Sequence, residues 1–415
     1  MTRHDQRAYV RIGGMELQRR LGAGDAVVIG LGSMIGAGVF AAFAPAAHAA
    51  GAGLLVGLVL AALVAYCNAT SSARLAAIYP ASGGTYVYGR ERLGEFWGYL
   101  AGWGFVVGKT ASCAAMALTV AAYVAPPGWQ PAVAAAAVLA LTALNYFGVQ
   151  RSAWLARVLV AVTLVVLAAS VAAMSGLPHA SGISFDGSGI LQSAGLLFFA
   201  FAGYARIATL GEEVRDPART IPRAIPIALG ITFVVYAAVG IALVVTLGPA
   251  LASTSDPIAQ AVPGWLAPAV RVGAALAALG SLLALILGVS RTTFAMARDG
   301  HLPRALSAVH PRFGVPHHAE LGVGVVVAIL VTTTDLRGAI GFSSFAVLTY
   351  YAIANASAFT LGARVIPVAG LIGCVVLAFS LPLPSVIAGC VVLALGALAY
   401  WLSGIPRRGA RTPGP

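Results

Sequence analysis

The sequence predicts an all-α polytopic membrane protein with about twelve transmembrane helices. Of its 415 residues, 60% are hydrophobic and 9% are charged, which leaves too few polar side chains to cover soluble domains. A helix that crosses the hydrocarbon layer needs about 20 mostly apolar residues, so a dozen helices use roughly 240. The 49 glycines exceed what lipid-facing helices need, because glycine in membrane helices permits close packing or interrupts the helix.

Long apolar runs separated by short polar segments define the predicted spans. They lie at 24–48, 54–78, 96–124, 132–147, 155–175, 190–211, 226–248, 269–297, 320–334, 340–361, 366–380 and 385–403. The predicted units are a tail at 1–23, a first group of five spans at 24–175, a second group at 190–361, two further spans at 366–403 and a tail at 404–415. The first apolar run follows a polar tail and is too long for a signal peptide, so we expect it to remain as a span.

Topology explains the net charge of +12. Arginines recur in the first tail and in alternate segments between spans, as Arg3, Arg7, Arg11, Arg19, Arg20, Arg90, Arg92, Arg151, Arg157, Arg215, Arg219, Arg223, Arg298, Arg304 and Arg312. The intervening segments, near Gly51 and at 126–130, 176–188, 249–268 and 381–384, contain neither Lys nor Arg. The positive-inside rule therefore predicts cytoplasmic termini, an even number of spans and a place in the cell (inner or plasma) membrane. No basic face with interleaved aromatics is left for nucleic acid.

No catalytic or metal site is predicted. All thirteen acidic residues fall in tails, loops or helix ends, so neither a pair of carboxylates nor a Ser-His-Asp arrangement is expected inside the membrane, and an enzyme is disfavoured. Four histidines share one segment, namely His301, His310, His317 and His318. Their spacing is irregular and no cysteine joins them, which favours a solvated loop over a metal site.

Two glycine motifs fail as nucleotide sites. Gly108-Lys109-Thr110 ends like a phosphate-binding loop, but Trp103 stands where that motif needs its first glycine. Gly30-x-Gly32 has Ile35 at the sixth position of a dinucleotide motif. No cofactor is predicted, so the energy for any transport must come from a gradient or from exchange.

Glycines weaken the centres of the first and sixth spans. The first contains Gly32-Ser33-Met34-Ile35-Gly36-Ala37-Gly38-Val39-Phe40, and the sixth contains Phe198-Phe199-Ala200-Phe201-Ala202-Gly203-Tyr204. One interpretation of Gly32 and Gly36 is a small-residue packing face. The other is a helix break, whose free backbone groups are tolerated only where they line a cavity or meet a ligand. Breaks at matching places in consecutive groups of five spans indicate inverted repeats around a midplane site.

These segments resemble the amino acid-polyamine-organocation (APC) permease family, over nearly the whole chain. The similar segments are Gly32–Phe40, Pro80-Ala81-Ser82-Gly83-Gly84-Thr85-Tyr86, Phe199–Tyr204 and the run from Glu212 and Glu213 to Ile225. The resemblance implies a five-plus-five inverted repeat with discontinuous first and sixth helices, followed by two additional helices. It also implies alternating access to a central site.

The resemblance also implies roles for single residues. The backbone amides of Ala37 and Gly38, the region of Gly36 and the nearby Ser33 would face a substrate carboxylate, which agrees with the partial positive charge of a helix start. The carbonyls of Met34, Phe199 and Ala202 would receive the substrate ammonium. Phe199 and Phe201 are candidates for an aromatic gate, and Gly203 belongs to the second break.

Departures from the family pattern concern the coupling groups. Many proton-coupled members carry a lysine in the fifth span, where this chain has Thr163, and others carry an acidic residue after the glycine of the sixth span, where Arg206 follows Ala205. Lys109, beside Thr110, is the ionisable group placed deep in an apolar run, and such a group is a functional candidate by default. The alternative is a structural lysine that carbonyls satisfy or whose stem reaches toward the interface.

Other polar residues have simpler interpretations. Arg206 is expected to pair at an inner gate, with substrate contact as the alternative. Asn68 and Asn355 are expected to form hydrogen bonds between helices. Tyr86 and Tyr88 are expected to shape the inner gate.

The predicted function is secondary active transport of an amino acid or a related amine, with a proton as the coupling partner. An exchanger of cationic amino acids or polyamines is the alternative within transport, since aromatic faces can hold cations. From another class, a channel or a membrane scaffold would have the same helices without a two-sided site. Oligomeric state and the exact substrate are left open by the sequence.

Overall fold

The computed structural model of the protein describes residues 21–79, 83–148, 153–208 and 214–402, and the regular elements in these ranges are all helices. Several predicted features lie outside them. These are the first tail up to residue 20, residues 80–82 of the segment after the second span, Arg151, Glu212 and Glu213, and the C-terminal residues 403–415.

The helices of the first half occupy the positions predicted for the first five spans. They are α1 (Ala23–Met34), α2 (Gly38–Ala41), α3 (Phe43–Ala50), α4 (Leu54–Ile78), α5 (Thr85–Leu93), α6 (Glu95–Val124), α7 (Gln130–Tyr146) and α8 (Ala153–Met174). The short helix α5 was not among the predicted spans. Its nine residues are too few to cross a bilayer.

The second half repeats the alternation of long and interrupted helices. It contains α9 (Ile190–Phe201), α10 (Ala205–Ala208), α11 (Pro217–Leu247), α12 (Pro257–Ala261), α13 (Ala267–Arg298), α14 (His317–Thr333), α15 (Leu336–Phe359), α16 (Val365–Phe379) and α17 (Leu383–Leu402). Three 3₁₀ turns connect or interrupt these helices, at Ala202–Tyr204, Gly248–Ser253 and Arg304–Ser307.

Within the described ranges, nine helical segments are long and apolar enough to cross a membrane, and three further apolar helices are shorter. The shorter ones are α7, α14 and α16, with 17, 17 and 15 residues. At 1.5 Å per residue they span about 22–26 Å. The predicted class, an all-α polytopic membrane protein, is therefore confirmed, whereas the crossing of the membrane by all twelve segments stays a prediction.

Burial separates the inner helices from the outer ones. In the apolar windows of α6 and α15, 78% of the residues are buried within the bundle, but only 22% are buried in those of α8 and α17. Small residues line α6, including Gly102 and Gly108, and leave room for side chains of neighbouring helices such as those of Met296 and Ala346. The bundle is thus built around α6 and α15, with α8 and α17 facing outward.

Polar groups also join helices inside the bundle. The amide Nδ2 of Asn355 on α15 donates to Oδ1 of Asn68 on α4 at 2.6 Å, and the thiol of Cys374 on α16 donates to the same oxygen at 3.2 Å. The predicted interhelical role of the two asparagines is confirmed. Because all three side chains are fully buried, this contact fixes the order of three neighbouring helices.

The bundle has two distinguishable ends. We call the end at which α1 begins and α4 ends the basic end, because Arg74, Arg90, Arg157 and Arg298 lie there. At the opposite end, the connection after α3 meets the segment before α9, where the amide of Ala52 donates to the carbonyl of Ser184 at 2.7 Å.

Candidate functional site

The first span is interrupted at its centre. Helix α1 ends at Met34, a turn of three residues follows, and α2 begins at Gly38. The amides of Phe40 and Ala41 both donate to the carbonyl of Ala37 at 3.1 Å. The start of a helix presents backbone N–H groups and the positive end of the helix dipole, so this break can bind an anionic group.

The sixth span is interrupted at the matching place. Helix α9 ends at Phe201, the residues Ala202–Tyr204 form a 3₁₀ turn, and α10 begins at Ala205. Residues in this turn leave the regular α-helical pattern, so their carbonyls are available to other donors. The helix interruption that the glycines predicted is therefore present in both spans.

The two breaks are in direct contact, and glycine is required at the contact. A Cβ atom on Gly203 would collide with the backbone carbonyl of Ser33, and a Cβ atom on Gly38 would lie 2.7 Å from the Cα atom of Ala200. Because the obstacles are backbone atoms, neighbouring side chains cannot relieve these clashes by changing rotamer. Both glycines thus permit the closest approach between the first and sixth spans.

Tyr236 on α11 links the two breaks. Its hydroxyl lies 2.5 Å from the carbonyl oxygen of Met34 and 3.1 Å from that of Ala200. The ring is fully buried and makes an edge contact with Phe201, with ring centroids 5.1 Å apart. One hydroxyl proton is therefore shared between carbonyls of the first and sixth spans.

Helix α13 supports the first break from another side. The hydroxyl of Ser281 donates to the carbonyl of Gly32 at 3.2 Å. A Cβ atom on Gly36 would collide with the Ser281 side chain. Ser33 itself donates to the carbonyl of Ile29 in its own helix at 3.0 Å.

Lys109 on α6 contacts the second break. Its Nζ donates to the carbonyl of Ala202 at 3.3 Å, and the hydroxyl of Tyr351 on α15 lies 3.5 Å from the same oxygen. Lys109 is 7% exposed. The single lysine of the sequence therefore reaches the backbone group that the family resemblance associates with a substrate ammonium.

The other residues predicted for coupling or gating are Thr110, Thr163 and Arg206. Thr110 and Thr163 are buried, and each hydroxyl donates at 2.7 Å to a carbonyl in its own helix, that of Val106 and that of Leu159 respectively. Arg206 lies on α10 with an exposed side chain. Phe199 is 7% exposed beside the break.

Sequence reasoning missed Tyr236, Tyr351 and Ser281. Each is a hydroxyl-bearing residue within an apolar span, and that is the available signal in the sequence. The rings of Tyr351 and Tyr204 stack with centroids 5.0 Å apart. Because periodicity does not tell which helix a buried hydroxyl meets, these partners appear only in the folded chain.

Ion pairs lie at both ends of the bundle. At the basic end, Arg157 on α8 pairs with Asp25 on α1. At the opposite end, Arg271 on α13 pairs with Asp256 at 2.6 Å and donates to the carbonyl of Tyr123 at 3.2 Å. The Tyr123 hydroxyl in turn donates to the carbonyl of Phe40 at 3.3 Å, so this ion pair is connected to the second half of the first span.

A second polar cluster covers the basic end. Tyr86 on α5 donates to Asp299 Oδ2 at 2.7 Å and lies 2.9 Å from Nδ1 of His301, while Arg90 pairs with Asp299 at 3.3 Å. Burial and the bond to Asp299 raise the pKa of Tyr86 above its usual range. Burial lowers the pKa of His301, although Glu95 and Asp299 oppose the effect. Tyr86 therefore holds the connection between α13 and α14 against α5.

Two interrupted helices that meet at the centre of an all-α membrane bundle are the architecture of a membrane permease. Residues 21–411 match the amino acid permease family, and the chain belongs to that family. The membership points to a transporter rather than to an enzyme.

Related proteins agree with this membership. The chain is 68% identical to an uncharacterised transporter of Mycobacterium tuberculosis (strain ATCC 25618 / H37Rv), over 95% of this chain and 94% of the relative. It is 27% identical to the branched-chain amino acid permease BcaP of Bacillus subtilis (strain 168), over 94% of each chain. It is 28% identical to the chloroplastic cationic amino acid transporter 7 of Arabidopsis thaliana, over 86% of this chain and 68% of the relative.

Proposed function

We propose that the protein is a secondary active transporter that moves amino acids across the cytoplasmic membrane by alternating access. The observation that carries this proposal is the contact between two broken helices, one offering a helix start at Gly38 and the other a carbonyl at Ala202 that accepts from side chains. Opposite partial charges at adjacent breaks suit a zwitterion, because the amides attract its carboxylate and the carbonyls attract its ammonium.

The substrate carboxylate binds at Gly36, Ala37 and Gly38, near Ser33. Its ammonium binds the carbonyls of Met34, Phe199 and Ala202. The carbonyl of Met34 accepts from Tyr236, but a carbonyl oxygen has two lone pairs and can accept a second donor. Phe199 and Phe201 flank this position, and Gly203 permits the two breaks to stay in contact.

The repeat and the orientation follow from the same proposal. Residues 24–175 and 190–361 form inverted five-helix repeats, and residues 366–403 add two helices. The basic end faces the cytoplasm, as the positive-inside rule requires, so both termini are cytoplasmic. Spans that pack on the breaks, α6, α13 and α15, complete the pocket through Lys109, Ser281 and Tyr351.

Proton coupling is assigned to Lys109. The family resemblance places Thr163 where many proton-coupled members carry a lysine, and Ala205 followed by Arg206 where others carry an acidic residue, so the usual groups are missing. Lys109 is buried and contacts the second break directly. Exchange of its proton is therefore the way in which a pH gradient can act on substrate binding.

Uptake by purified protein in liposomes tests the function. We expect saturable uptake of a labelled neutral amino acid that increases when the outside is made acidic relative to the inside. Absence of uptake and of exchange across a panel of all common amino acids would contradict the proposal. Uptake that does not change with the pH gradient would contradict proton coupling.

A second candidate is an exchanger of cationic amino acids or polyamines. The name of the Arabidopsis relative supports it. Competition by arginine and putrescine against a labelled neutral amino acid separates the two candidates. Strong competition by both cations favours the exchanger.

A further inference from the structure

The Lys109 side chain places an ammonium group on the Ala202 carbonyl, where Nζ and the carbonyl oxygen are 3.3 Å apart. Under the proposed function, on which this inference rests, the same carbonyl receives the amino group of the substrate. A carbonyl oxygen has two lone pairs, and the hydroxyl of Tyr351 already lies 3.5 Å from it. The chain therefore holds a tethered amine that competes with the substrate for one acceptor.

No carboxylate in the described part of the chain balances the charge of this ammonium. The ionisable groups near Lys109 are Cys113, one turn away on α6, and the tyrosines Tyr204 and Tyr351 on the other side of the Ala202 carbonyl. The described acidic residues lie in connections or in the terminal turns of helices, at Asp25, Glu91, Glu95, Asp186, Asp216, Asp256, Asp299, Glu320 and Asp335. Among the side chains that the structure describes, none compensates a positive charge beside the second break.

We propose that Lys109 selects substrates by charge. Without substrate, its ammonium donates to the Ala202 carbonyl. When a zwitterion binds, the amino group of the substrate replaces the ammonium at that carbonyl. The ammonium repels any substrate with a positively charged side chain. For a side-chain cation about 6 Å from this ammonium, at an effective dielectric constant of about 20, the added repulsion weakens binding roughly 100-fold relative to an uncharged side chain of the same shape. The substrates are therefore amino acids with uncharged side chains, and cationic amino acids and polyamines are excluded.

A lysine that only stabilises the helix break would behave differently. It would donate to Ala202 whatever the substrate, and its removal would weaken all substrates to a similar degree. Selection by charge instead predicts that removal of the ammonium changes the preference between two substrates of the same shape. Arginine and citrulline form such a pair, because citrulline replaces the guanidinium with an uncharged group of similar size.

The test is competition by arginine and citrulline against counterflow of a labelled neutral amino acid in liposomes. We expect the unaltered protein to require roughly 100-fold more arginine than citrulline for half-inhibition. In Lys109→Met, arginine should inhibit at lower concentration. The ratio of the arginine to the citrulline concentration needed for half-inhibition should fall to roughly tenfold or less. Lys109→Arg, which keeps the charge, should keep the preference for citrulline.

Arg74→Met is the matched control, because Arg74 is another cation that donates to backbone carbonyls, those of Gly362 at 3.0 Å and Ala363 at 3.3 Å, but on the exposed surface. The ratio of arginine to citrulline needed for half-inhibition of Arg74→Met should equal that of the unaltered protein. If Lys109→Met does not elute as a single species from a sizing column, Lys109→Gln replaces it. The proposal is overturned if arginine does not inhibit at lower concentration in Lys109→Met or Lys109→Gln than in the unaltered protein. It is also overturned if arginine and citrulline inhibit the unaltered protein equally. Absence of any amino acid counterflow in the unaltered protein would instead contradict the proposed function.

Discussion

At the centre of the bundle the broken helices meet through backbone groups, hydroxyls and one ammonium, whereas pairs of opposite charge join the helices at the two ends. Tyr236 is shared between carbonyls of Met34 and Ala200 at the centre. At the ends, Asp25 pairs with Arg157 and Asp256 with Arg271. Because a net hydrogen bond between neutral groups contributes only about 0.5–1.5 kcal/mol, the contacts of Tyr236 are individually weak, which suits the proposed exchange with a substrate. Under that proposal the ion pairs at the ends take no part in the exchange.

The largest effect is expected from Gly203→Ala. The added Cβ meets the Ser33 carbonyl, which belongs to the backbone and cannot move alone, so the two breaks must separate at a cost of about 1–3 kcal/mol. We expect uptake in liposomes to fall roughly tenfold or more, with a lower melting temperature. Gly230→Ala is the control, because nothing lies within 4 Å of a Cβ at that helical position. Normal uptake by Gly203→Ala would show that the breaks need not touch.

A smaller loss of uptake than in Gly203→Ala is expected from Tyr236→Phe, which keeps the ring and removes the shared hydroxyl. Two buried carbonyls then lose a donor, at a cost of about 1–3 kcal/mol in total. We expect a lower melting temperature and slower uptake. Tyr66→Phe, on the exposed face of α4, should change neither. Equal behaviour of the two variants would mean that the hydroxyl does not hold the breaks together.

The ends should respond through stability, and unequally. Asp256 is 4% exposed and receives both Arg271 and the side chain of Gln260, so Asp256→Asn should cost about 1–3 kcal/mol. The Arg157 side chain opposite Asp25 is 52% exposed, so Asp25→Asn should cost less than about 1 kcal/mol. Melting temperatures of the two variants in detergent measure this difference. A larger loss of stability in Asp25→Asn than in Asp256→Asn would contradict the expected difference between the two ends.

The smallest effect is expected from protonation of His301. Burial puts its pKa in the folded protein below the ordinary value of 6.5. The unfolded chain therefore binds the proton more readily, and stability should decrease as the pH falls through about 6.5. Melting temperatures between pH 8 and pH 5 should show this decrease, and His301→Gln should reduce it. An equal or steeper decrease in the variant would show that protonation of His301 does not cause the loss of stability.

The helices and the two breaks could be predicted from the sequence because apolar length and clustered glycines act locally. The interhelical hydrogen bonding of Asn68 and Asn355 was also predictable, since amides in apolar spans must find partners, but their contact with each other was not. The partners of Tyr236 and Ser281 were not, because a hydroxyl carries no signal for the helix that it faces. Lys109 was identified by its depth, but its acceptor, Ala202, lies 93 positions away and is brought there only by the packing of α6 against the second break.

The central claim is that one break binds the carboxylate of the substrate and the other binds its ammonium. Competition in the liposome counterflow assay by three related compounds tests it most directly: the transported amino acid, its methyl ester and the same molecule without the amino group. We predict that both altered compounds compete roughly tenfold or more weakly than the parent, because each loses its charge at one break. Competition by either altered compound at the strength of the parent would contradict the claim.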